Sequence, residues 1–183
     1  MHTTFTLKSS IVMAALAVMS AAHAAPMTKA DYQADKVRIT ADYKADKTAC
    51  GSMSGNANDI CVEQAKGKEK LALAQLEYGY TGKAADHNQI KKTKAEADYA
   101  VAKEKCDDLA GNAKDVCMQQ AKATETKAMA DAKLDKQVGE AQTEAMGDKR
   151  DADYKVAAEK CDALAGDAKS GCMSAAKSKF GKN

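Results

Sequence analysis

The feature that most constrains this chain is a segment that occurs three times, at residues 41–66, 97–122 and 152–177, with two cysteines in register. The copies begin at Ala41, Ala97 and Ala152, and the two intervals between these starts differ by a single position. Low complexity would repeat Ala and Lys, but it would not place a Tyr and two Cys in register three times. Self-similarity of this kind indicates tandem supersecondary units.

Each pair of cysteines is placed symmetrically about a short turn sequence. In the second unit, Cys106 lies five residues before Gly111, and Cys117 lies five residues after Asn112. Gly adopts positive φ just past a helix C-terminus, and Asn or Asp is a favoured N-cap, so this dipeptide predicts a tight turn between two helices. The same offsets predict turns at Gly55-Asn56 and Gly166-Asp167.

The spacing also predicts how the cysteines pair. Five helical residues rise about 7.5 Å, so the two cysteines of one unit lie at the same height on antiparallel helices. Six cysteines allow 15 pairings, and the internal symmetry selects one bridge in each hairpin. The predicted disulfides are Cys50–Cys61, Cys106–Cys117 and Cys161–Cys172.

A Tyr and an Ala complete the predicted contact between the two helices of each unit. The Tyr precedes the first Cys by seven positions, or two helical turns, and therefore shares its face. The Ala follows the second Cys by four positions and allows the helices to approach closely. The seam tyrosines are Tyr43, Tyr99 and Tyr154, and the alanines are Ala65, Ala121 and Ala176.

The composition bears on whether the chain is disordered or helical. From Ala25 onward only one residue in ten is Leu, Ile, Val or Phe, which is low enough to raise the question of disorder. However, more than one residue in five is Ala and no Pro follows Pro26, which favours long helices. We predict an all-α fold of three tandem disulfide-stapled antiparallel helical hairpins joined by long helices, elongated or loosely bundled.

Breaks in the helical pattern suggest where one hairpin ends and the next begins. The clearest is Tyr78-Gly79-Tyr80-Thr81-Gly82, and weaker ones lie at Val138-Gly139 and Gly147-Asp148. We therefore expect hairpin repeats at residues 25–80, 81–138 and 139–183.

Residues 1–24 have the pattern of a secretory signal peptide. Lys8 precedes an apolar run from Ile11 to Ala22, and Ala22-His23-Ala24 matches the small-residue cleavage motif. The run is too short to span a bilayer, which needs about 20 apolar residues. We expect cleavage after about Ala24, no membrane insertion afterwards, and a periplasmic location.

Several chemistries receive little support. The spacing C-x10-C suits structural disulfides rather than a catalytic C-x-x-C pair, and His87 alone does not make a zinc site. Met118 and Met173 each follow a Cys, a pairing that could suggest a copper site. Neighbouring helical residues point about 100° apart and do not converge on one ion, so packing is the expected role. Without a nucleophile–base set, a phosphate-binding motif or a basic aromatic groove, we expect no enzyme activity, no cofactor, no metal and no nucleic-acid partner.

The motifs C-x2-L-A-G-N-A-K-D-x-C and C-M-x2-A-K resemble those of uncharacterised exported Ala/Lys-rich repeat proteins of Gram-negative bacteria. Such proteins are sometimes labelled TolA-like because of their composition. The resemblance extends over roughly residues 30–180 and implies a periplasmic location, without implying an activity.

Three functions remain as hypotheses. The first is a non-enzymatic helical-repeat protein that acts as a structural or protein-interaction module of the cell envelope, with an unknown envelope or periplasmic partner. The second is a stress-protective hydrophilic protein, similar to late-embryogenesis-abundant (LEA) proteins, because the mean hydropathy is −0.52. The third is a redox- or metal-responsive protein that uses the cysteine pairs.

Overall fold

The computed structural model describes residues 27–182, and within that range it contains five α-helices and no strand. The predicted all-α fold of stapled hairpins is therefore confirmed. The predicted signal peptide lies outside the described residues. The helices are α1 (Lys29–Cys50), α2 (Asn56–Thr81), α3 (Ala84–Cys106), α4 (Gly111–Asp162) and α5 (Gly166–Phe180).

Each helix contacts only its neighbours in sequence. Helix α1 packs on α2, α2 on α3, α3 on α4 and α4 on α5, and no other pair of the described helices is in contact. Short connections make neighbouring helices antiparallel. At 52 residues, α4 is much longer than α3 or α5, so its first half pairs with α3 and its last part pairs with α5. We call α1, α2, α3 and residues 111–132 of α4 the array, and residues 147–182 the terminal hairpin.

The continuity of α4 corrects two expectations from the sequence. The predicted breaks at Val138-Gly139 and Gly147-Asp148 are wrong, because the helix passes through both positions without interruption. An interior Gly costs a helix only about 1 kcal/mol, and the surrounding Ala, Glu, Gln and Lys residues are strong helix formers. The second and third hairpins therefore share one helix across residue 138.

Of the expected breaks, only the one at residues 78–82 coincides with a helix end. Helix α2 continues through Tyr78, Gly79 and Tyr80 and stops at Gly82, whose φ is +64°. The amide of Gly82 donates to the carbonyl oxygen of Tyr78 at 2.8 Å, which closes the helix before α3 begins two residues later.

The core is thin and consists mainly of small residues. The first cysteine of each pair is at most 1% exposed, and the three alanines expected to allow close approach are also buried. Between α2 and α3, a Cβ built on Gly67 would lie 2.9 Å from the Cβ of Ala97, so only Gly permits this approach. The buried residues are Ile39, Cys50, Ala65, Gly67, Leu76, Asn88, Thr93, Ala95, Cys106, Ala121, Ala132, Cys161 and Ala176.

Candidate functional site: the three hairpin tips

The residues between the two cysteines of each unit form a short turn closed by a disulfide. We call them tip 1 (residues 51–60), tip 2 (residues 107–116) and tip 3 (residues 162–171). The structure contains the three predicted disulfides, each with a Cα–Cα distance of 5.6 Å. That distance lies within the usual range for a disulfide. Every cysteine of the described residues is paired in this way.

The turn glycines have positive φ, but they occupy a different place in the turn from the one expected. Gly55, Gly111 and Gly166 have φ between +55° and +57°. They stand at the start of the second helix of each hairpin, whereas the sequence suggested that they would follow the first helix. The first helix instead ends in an ordinary right-handed conformation, at Gly51, Asp107 and Ala163.

Because Gly opens the second helix, the residue after it is not the N-cap. No side-chain cap hydrogen bond forms at the start of α2, α4 or α5, so the capping role expected of Asn56, Asn112 and Asp167 is wrong. Asn56 has another role. Its Nδ2 donates to the carbonyl oxygen of Glu104 at 2.6 Å, which joins the turn of tip 1 to the end of α3.

Polar contacts that were not predicted from the sequence close each tip. In tip 1, Asn58 Nδ2 donates to the carbonyl oxygen of Cys50 at 2.7 Å. In tips 2 and 3 an ion pair takes its place. Asp107 lies 2.7 Å from Lys114, and Asp162 lies 3.0 Å from Lys169.

The signal for these ion pairs was present in the sequence as an acid directly after the first Cys and a Lys three positions before the second. The hydrogen bond from Lys114 and its positive charge lower the pKa of the Asp107 carboxyl, and the same contact raises the pKa of the Lys114 amine. The two side chains are 41% and 38% exposed, so the contribution of the pair to stability is small.

At one equivalent position, each tip also exposes a large apolar side chain. Met53, Leu109 and Leu164 each lie three positions after the first Cys, and they are 49%, 43% and 44% exposed. Their amides donate to the carbonyl oxygen of that Cys at 2.9 to 3.0 Å, which holds this residue at the outside of the turn. An apolar residue held beside polar or charged groups is the arrangement found at protein interfaces.

The seam tyrosines are half-buried, and they contact different partners. The amine of Lys122 lies 5.1 Å from the ring centroid of Tyr99. Tyr154 meets Phe180 edge to face, with the ring centroids 6.3 Å apart. At the opposite end of the first hairpin another tyrosine joins the helices, because the Tyr32 hydroxyl donates to Glu77 at 2.7 Å. That hydrogen bond raises the pKa of Tyr32.

Tips 1 and 2 lie together, whereas tip 3 lies far from them. The bond from Asn56 to Glu104 places the first two tips at the same end of the array. Helix α4 begins at tip 2 and ends at tip 3, and a helix of its 52 residues is about 78 Å long. The molecule therefore presents two adjacent tips at one end and a single tip at the other.

Away from the tips, an open groove lies between the start of α3 and the middle of α4. His87, Lys91, Asp135, Glu140 and Met146 are among its lining residues. His87 is exposed, with its ring 5.0 Å from that of Tyr78. Within residues 27–182, no group of three or more His, Cys, Asp or Glu is placed to hold a metal ion.

Comparison with protein-family models, curated proteins and solved structures finds no match for this chain. Among the described helices, none is both long enough and apolar enough to cross a bilayer.

Proposed function

We propose that this chain is a non-enzymatic, exported helical-repeat protein that acts as a structural and protein-interaction module in the periplasm. Its tips are the contact points, and α4 is the spacer that holds tip 3 away from tips 1 and 2. The observation that carries the proposal is the equivalence of the three tips. Each combines a disulfide, a positive-φ Gly and an exposed apolar side chain at the same offset.

The chemistry of the tips favours a protein as the partner. An exposed Met or Leu fits an apolar pocket, and in tips 2 and 3 the adjacent ion pair provides a polar rim. The disulfide prevents the turn from opening, so less conformational entropy is lost on binding than for a flexible loop. Because tips 1 and 2 lie at the same end, a partner with two binding sites could contact both, and its affinity would exceed that for a single tip.

The periplasmic location is supported by the signal-peptide pattern of residues 1–24 together with three disulfides, which persist in oxidising compartments. Cell fractionation tests it directly. We expect the chain in the periplasmic fraction with its N-terminus near Ala25 and without free thiols. Recovery in the cytoplasm with reduced cysteines would contradict the proposal.

The interaction role is tested by capture of periplasmic proteins on the immobilised chain. The test variant changes the three tip residues Met53, Leu109 and Leu164 to Glu. The control variant introduces three Glu at exposed positions away from the tips, at Gln33, Val37 and Met146. We expect specific partners to be lost with the tip variant and kept with the control. Equal capture by both variants would show that the tips are not the contact points.

The stress-protective alternative predicts a different result. Protection of a reporter enzyme during drying depends on a hydrophilic, largely exposed chain and not on any one side chain. The tip variant would then protect as well as the unchanged protein, and no specific partner would be captured by either.

A further inference from the structure

The outer face of α4 has an exposed, mostly apolar stripe that the fold leaves uncovered. Helices α3 and α5 pack against the same side of α4, where Ala121, Ala132 and Cys161 are buried. On the opposite side, a set of residues recurs at spacings of three and four, and every one of them is exposed. This outer stripe consists of Ala123, Lys127, Ala130, Leu134, Val138, Ala141, Ala145, Lys149, Ala152 and Val156.

The spacing makes the stripe straight. Ala123, Leu134, Ala145 and Val156 are equivalent positions of a repeat that advances three turns at a time. A repeat of about 3.67 residues per turn stays close to the natural period of the helix and runs nearly parallel to its axis. Val116, the last residue of tip 2, lies one such repeat before Lys127 and extends the stripe to that tip. From Val116 to Val156 the stripe spans about 60 Å.

The large side chains on this face are strongly exposed. Val116, Leu134, Val138 and Val156 are 45%, 57%, 46% and 56% exposed. Single exposed apolar residues are common, but an aligned set that follows one face of a helix indicates an interaction surface. None of the other described helices covers this face.

We propose that the outer stripe pairs with the outer stripe of a second copy of this chain, in the antiparallel direction. The first argument is length. Among the described helices only α4 is as long as the stripe, so the α4 of a second copy could cover all of it. The second is symmetry about residue 136. Antiparallel pairing there places Leu134 against the Val138 position of the other copy and Val116 against its Val156 position. A twofold dimer has this reciprocal pattern.

The charges on the stripe favour the same direction. Antiparallel pairing places each stripe lysine, Lys127 and Lys149, against an alanine, whereas parallel pairing in register would place each lysine against its own copy. The resulting dimer would have tips 1 and 2 of one copy and tip 3 of the other at each end.

The first experiment measures the oligomeric state of the purified full chain by sedimentation equilibrium over a range of concentrations. We expect a monomer–dimer equilibrium. The variant Leu134→Glu with Val138→Glu should weaken dimerisation by about 100-fold or more, because four apolar side chains leave the dimer interface. The control, Gln33→Glu with Val37→Glu, adds the same charge at the same spacing on α1 and should leave the dimer unchanged.

The second experiment determines direction by energy transfer between copies. One sample is labelled at Val116→Cys and the other at Val156→Cys, and the two are mixed. Antiparallel pairing predicts efficient transfer between these two positions and little transfer when both samples are labelled at Val116→Cys. The reverse result would overturn the antiparallel arrangement.

Circular dichroism and non-reducing peptide mapping verify that each variant keeps its helices and disulfides. Because the substituted residues are exposed, we expect no change in either. A chain that stays monomeric at all concentrations would overturn the proposal and assign the outer stripe to a different protein. A dimer that the Leu134→Glu and Val138→Glu variant leaves intact would overturn it as well.

Discussion

The array and the terminal hairpin contain the same repeated unit but support it to different extents. Both have a tip closed by a disulfide with the same Cα–Cα distance of 5.6 Å. In the array, α2 and α3 each have a helix on both sides, and buried residues occur along their length. Between residues 147 and 182, only Cys161 and Ala176 are buried. The unit therefore specifies a hairpin, while packing between hairpins also needs residues outside it, such as Gly67.

Removing a disulfide should reveal the largest difference in stability between the terminal hairpin and the array. Replacement of Cys161 and Cys172 by Ser removes about 3 kcal/mol of chain-entropy stabilisation from a hairpin with almost no buried surface. We expect α5 to open, with amide exchange in residues 166–180 accelerated by about 100-fold. Hydrogen exchange followed by mass spectrometry measures this.

The matched control replaces Cys106 and Cys117 by Ser in the array. There, α3 and α4 are also joined by the buried Asn88, whose Nδ2 donates to the carbonyl oxygen of Ala132 at 2.5 Å. We expect both helices to stay protected except near tip 2. Equal loss of protection in the two hairpins would show that the array gives its disulfide no additional support.

A larger side chain at Gly67 should affect the array alone. Gly67→Val forces α2 and α3 apart where the Cβ position already lies 2.9 Å from Ala97, at a cost of about 1–3 kcal/mol. We expect a lower denaturation midpoint for the array and unchanged exchange in α5. As a control, Gly139→Ala lies in an open part of α4 and should stabilise the helix by about 0.5–1 kcal/mol. A destabilised α5 in the Gly67→Val variant would mean that the two regions unfold together.

The contrast between the two regions also separates what could be predicted from the sequence and what could not. The symmetric offsets of the cysteines predicted the hairpins and the pairing, and the spacing of Ala65, Ala121 and Ala176 predicted buried contacts. The packing of α2 on α3 was not predictable, because Gly67 looks like an isolated helical glycine and its partner Ala97 is distant in sequence. The breaks expected at residues 138–139 and 147–148 failed because two glycines do not outweigh a long run of helix formers.

The link between tip 1 and α3 should have an intermediate effect. Asn56→Ala removes the hydrogen bond to the carbonyl oxygen of Glu104, at a cost of about 1 kcal/mol. The equivalent residue in tip 2, Asn112, makes no cap hydrogen bond, so Asn112→Ala should change stability by less than about 0.5 kcal/mol. Urea denaturation followed by circular dichroism compares the two, and equal effects would contradict the role assigned to Asn56.

The smallest expected effect is the response of the ion pairs to acid. Lys114 lowers the pKa of Asp107 in tip 2, beside the array, and Lys182 lowers the pKa of Asp151 in the terminal hairpin. A lowered carboxyl pKa stabilises the fold above the unfolded value of about 3.9, and this contribution is lost as the pH falls through the folded pKa. NMR titration should show both carboxyl pKa values rising in Lys114→Gln and Lys182→Gln respectively. Unchanged values would show that the two pairs do not form in solution.

All of these contrasts depend on a packed pair of hairpins and a separate third, held apart by one continuous helix. Single-molecule energy transfer between dyes at Leu109→Cys in tip 2 and Leu164→Cys in tip 3 measures that separation, at concentrations too low for association. We expect a single low-efficiency population at a distance close to the length of α4, about 78 Å. A high-efficiency population with the tips within about 40 Å, half that helix length, would show that the third hairpin folds back onto the array and would contradict this arrangement.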